Sequence, residues 1–172
     1  MNRKRMGGVY IVEFAITALV LFTLLFGALE MGRLYFTVNV LSESVRRGAR
    51  LAAVCNIQDP IILRRAMFNT AGNAGPSSLI ASLTSANLNL VYLDANGAVV
   101  TSPNDLVGAG GFAAIRYVQL QVTNFSFNLL IPGFRGVFIL PTFRSTVPRE
   151  SLGRQPDPTV TPGITPCSVS EK

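Results

Sequence analysis

The sequence predicts an α+β protein. A long N-terminal helix, transmembrane in its first part and amphipathic in its second, packs on a small antiparallel β-sheet head. Three observations lead there. A nearly uncharged apolar run follows a basic cluster at the start of the chain. No proline occurs before Pro60, so nothing interrupts a helix through that run and beyond it. After Pro60 the apolar spacing changes from three-to-four to two, with turn residues between the alternating stretches.

Composition supports a membrane protein and removes most enzyme classes. Of 172 residues, 49% are hydrophobic and 14% charged, and the mean hydropathy is +0.40. Ordinary globular chains carry about 25% charged residues. The formal charge of +6 is dispersed along the chain, so nucleic acid is not an expected partner. The absence of His removes His-based acid–base catalysis and most catalytic zinc sites. Lysine occurs only as Lys4 and Lys172, which leaves no lysine for a buried Ser–Lys dyad. Asp94 and Asp105 lack the ligand-rich spacing of a calcium loop. Gly108–Gly111 is followed by no Lys-Ser/Thr and is not a phosphate loop. No catalytic residue, cofactor or metal is expected.

The first element is the span. Val9 to Gly32 is a 24-residue run interrupted only by Glu13 and Glu30. About 20 helical residues cross a hydrocarbon core of roughly 30 Å. Arg3, Lys4 and Arg5 precede the run, as they would in a secretory signal, but no A-x-A site follows it and Glu13 stands where an apolar core should begin. Ala28 and Gly32 form a small-xxx-small step that permits close helix approach.

Glu13 is the informative residue. A charge near the membrane core costs about 2.5–3.5 kcal/mol on insertion scales, so intramembrane acids usually have a partner. No basic residue lies within the span. A cut between Gly8 and Val9 would place the new amine of Val9 near the same depth, where it could pair with Glu13 of its own chain or of a neighbour.

The stretch Gly8-Val9-Tyr10-Ile11-Val12-Glu13-Phe14 resembles the processing site of type IV pilin-like proteins. Two further segments narrow the resemblance. Phe26-Gly27-Ala28-Leu29-Glu30-Met31-Gly32-Arg33 and Ser44-Val45-Arg46-Arg47-Gly48-Ala49-Arg50-Leu51-Ala52 are similar to those of TadE-like pseudopilins of the tight-adherence (Flp pilus) system. Ser44-Val45 stands where small alanines are usual. The resemblance covers about residues 7–54. It implies a pilin-like fold and a minor subunit of a tight-adherence type IVb pilus. It also implies a leader, residues 1–8, removed after Gly8 by a prepilin peptidase. The implied partners are other pilins and pseudopilins, that peptidase, inner-membrane pilus assembly proteins and membrane lipid. The implied location is the bacterial inner membrane, with a cytoplasmic N-terminus and a periplasmic head, or the pilus itself. Positive-inside counting alone is equivocal, since arginines flank both ends of the span. The rival reading is an unprocessed single-pass anchor that presents a periplasmic interaction domain in a secretion complex.

Residues 33–54 continue the helix outside the membrane. Leu34, Val38, Leu41, Val45, Ala49 and Ala52 share one face, and Glu43 with Arg47 is a favourable i,i+4 pair. Arg33 is expected to snorkel or to pair with Glu30. Arg46, Arg47 and Arg50 are either a solvated face or a partner-binding patch.

Residues 55–152 form the head. Pro60 to Ala71 reads as a second helix with Pro60 at its first position. Leu88–Tyr92 reads as a strand, Asp94–Gly97 as a hairpin turn and Ala98–Thr101 as its return. Ile115–Phe127 alternates throughout. Val137–Val147 is a last strand broken by Pro141. Three to four strands result. Residues 153–172 are a Pro-rich tail. Cys55 and Cys167 are a candidate disulfide in an oxidising compartment, or two unrelated thiols.

Overall fold

The computed structural model describes residues 7–130, 136–154, 164 and 167. Residues 1–6 of the expected leader and most of the expected Pro-rich tail lie outside the described residues.

Helix α1 spans Gly7–Val54 without interruption. Its stop is set by residues nearly a hundred positions away. The amides of Glu150 and Leu152 donate to the Ala53 carbonyl, and that of Gly153 donates to the Val54 carbonyl at 2.7 Å. The Ser151 hydroxyl also reaches Val54 O, at 3.2 Å. A helix C-terminus leaves its last four carbonyls without intrahelical partners, and this segment satisfies two of them. Gly153 has φ +72°, and a Cβ there would lie 2.5 Å from the Asn56 amide nitrogen. Both the conformation and the close approach require glycine.

Helix α2, Pro60–Ala66, begins as expected: the Asp59 carboxylate caps the Ile61 amide at 2.9 Å, with Pro60 in the first turn. It ends five residues earlier than the sequence suggests. Phe68 takes φ +63°. Its amide donates to Arg65 O and the Asn69 amide to Arg64 O, which is the bonding of a Schellman stop. Phenylalanine at a position usually filled by glycine hides that stop from a sequence reading.

Among the described residues, five short strands form two antiparallel sheets. Strands β1 (Leu88–Leu93), β2 (Tyr117–Val122) and β5 (Phe143–Pro148) make the larger, in the order β1-β2-β5. Leu88 pairs with Val122, and Val122 with Phe143. Strands β3 (Ser126–Asn128) and β4 (Val137–Ile139) make the smaller. Three expectations are corrected here. The alternation from Ile115 to Phe127 is two strands, because Asn124 at φ +54° breaks the first and the chain changes sheet. The stretch Val137–Val147 is likewise two strands in different sheets, with Pro141 between them. The turn at Asp94–Gly97 forms, but its return reduces to one bridge, Leu93 with Val99, before Pro103 turns the chain away.

By contacts the chain divides into two units, Met1–Thr37 with Phe127–Phe138, and Val38–Ser126 with Ile139–Lys172. In the second unit, Leu41, Val45, Ala49 and Ala52 of α1 are buried, as their spacing predicts. Val118, Leu120 and Val122 face them from β2, whereas Tyr117, Gln119 and Gln121 turn away. Gly48 fixes how closely they meet. A Cβ there would lie 2.1 Å from Leu120 Cδ2 and 2.8 Å from Ala66 Cβ.

Candidate functional site

The candidate assembly residues lie on the exposed part of α1. Gly8 and Val9 occupy its first turns, and Glu13 follows one turn after Val9. Gly8, Val9, Val12, Glu13 and Ile16 line one shallow groove on the helix. The two threonines of residues 9–32 bond back to the helix: Thr17 to Glu13 O at 2.9 Å and Thr23 to Leu19 O at 2.7 Å. Glu13 is exposed, and its carboxylate has no hydrogen-bond or ion-pair partner among the described residues. It is the one charged side chain of residues 9–29, and no basic residue lies beside it in that run. Such a group in hydrocarbon needs a cation from elsewhere.

Ala28 and Gly32 are exposed, and a Cβ on Gly32 would meet nothing within 4 Å. The small-residue step is thus unused by the described part of the chain and open to a neighbouring helix.

At the C-terminal end of the apolar run a polar cluster forms within the first unit. Arg33 clamps Glu30 with Nη2 at 2.5 Å from Oε1 and Nε at 3.2 Å from Oε2. The same guanidinium donates to the Asn128 carbonyl and lies 4.1 Å from the Phe127 ring centroid. The Leu130 amide donates to Glu30 Oε1 at 3.3 Å. Glu30 is consequently buried. The Glu30–Arg33 pairing is legible in the sequence. The main-chain bonds from residues 128 and 130 are not, because they come from backbone about a hundred residues away.

Further along α1, Glu43 pairs with Arg46 at 3.4 Å rather than with Arg47. Arg47 instead lies over Phe68, 5.4 Å from the ring centroid. Arg47, Arg50 and Arg65 border a groove of about 710 Å³ floored by Leu51 and Ile62. Cys55 and Cys167 are bonded in its wall, with Cα atoms 5.5 Å apart. Cys55 is buried where α1 ends.

The two aspartates considered for cation binding serve their own turns. Asp94 accepts the amides of Asn96 and Ala98, each at 2.8 Å. The amides of Gly108 and Val107 hold the Asp105 carboxyl below the usual carboxylate range. No group of three or more His, Cys, Asp or Glu residues that could hold a metal occurs among the described residues.

Among the described residues one helix, Gly8–Val54, is long and apolar enough to cross a membrane. Its Glu13, Glu30–Arg33 and Gly48-Ala49 features all fall within residues 8–50. No curated protein and no solved structure shows significant similarity to the chain. Residues 8–50, a quarter of the sequence, match the model of the TadE-like protein family, and over that stretch the chain is similar to it.

Proposed function

We propose that the chain is a pilin-like minor subunit that assembles with other pilins or pseudopilins into, or at the start of, a tight-adherence type IVb pilus. The observation that carries this is Glu13. It is an acid without a partner among the described residues, on the apolar face of a membrane-length helix, four residues after a Gly8–Val9 bond of the pilin type. Cleavage of that bond by a prepilin peptidase creates an α-amine at Val9. The amine of one subunit pairs with Glu13 of the next and fixes their axial register. Before assembly the protein is held in the inner membrane, N-terminus in the cytoplasm and head in the periplasm. An oxidising periplasm is compatible with the Cys55–Cys167 bond.

Substitution Glu13→Ala tests the pairing. The protein is expected to remain in the membrane fraction, since removing the acid only makes the helix more apolar, while surface pili fall to background. Normal piliation with Glu13→Ala would exclude the pairing. Retention of residues 1–8 in the mature protein would instead favour the unprocessed single-pass anchor.

A further inference from the structure

The ribbon of β3 and β4 has a feature that packing within the chain does not explain. In β4 three consecutive residues, Val137, Phe138 and Ile139, are all exposed, at 66%, 55% and 76%. Successive residues of a strand point to opposite faces. Strand β4 is therefore apolar on both of its faces, while β3 beside it exposes Ser126 and Asn128 and buries Phe127. Runs of exposed apolar residues of this length are unusual on a surface that meets water.

The position of the ribbon suggests what covers it. The bonds from Arg33 to Asn128 O and from Leu130 N to Glu30 tie its first strand to the last turn of the span. Leu130, itself 70% exposed, shares a groove with Phe26 and Leu29 of the span. The exposed Tyr35 follows at the same end, where aromatic side chains typically mark a membrane–water boundary. The apolar surface of the ribbon thus continues that of the helix. A protein partner docking on one side would leave the other face in water, whereas lipid meets both. The ribbon cannot lie in the hydrocarbon core. Two strands leave outer edges with unpaired backbone groups, which hydrocarbon does not tolerate.

We propose that the β3–β4 ribbon is an interfacial anchor that inserts Leu130, Val137 and Phe138 at the headgroup–acyl boundary of the leaflet where the span ends. Glu30 and Arg33 are the pin that holds it at that depth. The proposal rests on residues 9–32 being a membrane span, as in the proposed function.

The absence of tryptophan makes a direct test available. Phe138→Trp and, separately, Phe22→Trp are introduced into the full chain and reconstituted in phosphatidylcholine vesicles. The lipids are brominated either near the headgroup or near the acyl-chain terminus. Trp at position 138 is expected to be quenched several-fold more by the shallow bromines, and Trp at position 22 more by the deep ones. Adding Glu30→Ala to Phe138→Trp is expected to weaken the shallow quenching and to raise accessibility to aqueous acrylamide. If position 138 is unquenched while position 22 is quenched, the anchor is overturned and the span stands. If neither is quenched, the span itself fails and the anchor with it. Shielding of position 138 from acrylamide without bromine quenching, lost as the protein is diluted in lipid, would assign the ribbon to a second copy and overturn the proposal.

Discussion

Ser44 and Gly48 stand one turn apart on α1 and have opposite requirements. Ser44 is fully buried, and its hydroxyl has no hydrogen-bond partner among the described residues. Leaving a buried hydroxyl unsatisfied costs about 1–3 kcal/mol. Ser44→Ala is therefore expected to raise the stability of the detergent-solubilised chain by about 1 kcal/mol, read as a higher melting temperature. Gly48 is a helical glycine, and alanine would ordinarily gain about 1 kcal/mol in propensity. Here the new methyl meets Leu120 and Ala66 at distances no real contact reaches. Overpacking of this kind costs typically 1–3 kcal/mol, so Gly48→Ala is expected to lower the melting temperature despite the propensity gain. Within the segment read from the sequence as TadE-like, Gly48 and Ala49 thus have a packing reason: they are where α1 receives α2 and β2.

At the scale of elements, the disulfide and the cap on α1 act at one place. Cys55 follows the last helical turn, and residues 150–153 satisfy the carbonyls of Ala53 and Val54. The bond closes a loop over a sequence separation of 112. Removing a native disulfide from a small domain typically costs 2–5 kcal/mol. Cys167→Ser, and reduction of the parent protein, are expected to destabilise by about that much, visible as earlier proteolysis near residue 150 and a lower melting temperature. An unchanged melting temperature on reduction would remove the bond from the stability of the head.

Elements were legible where their signal is local. The helix from the span through Ala52 follows from uninterrupted apolar spacing, and the α2 start from Asp59 and Pro60. Strand β1 and its partner β2 alternate plainly. What could not be read depends on distant backbone or on unusual residues in left-handed conformations. Phe68 ends α2 and Asn124 ends β2, yet neither is glycine. The switch of residues 126–139 into a separate ribbon follows from pairings that no period in the sequence specifies. Of the candidate site, Gly8, Val9, Glu13, Ala28 and Gly32 can be nominated from the sequence because their chemistry is local to one helix. The link from Glu30 and Arg33 to residues 128 and 130 was missed because carbonyls and amides carry no sequence signature.

For the whole molecule, an apolar helix of membrane length bears one unsatisfied acid near its start, and the second unit builds a disulfide-stapled head on the second part of that helix. Under the proposed function, the acid is costly to a solitary subunit in lipid and useful to one that meets a neighbour's amine. The head keeps its own core through Leu41, Val45, Ala49 and Leu120, so a change at Glu13 should leave its folding intact. The central requirement is the new amine. N-terminal sequencing of the protein recovered from cell membranes or sheared surface fibres tests it most directly. A first residue of Val9, in a chain shortened by its first eight residues, is expected; an intact Met1 or a cut at any other bond would contradict it.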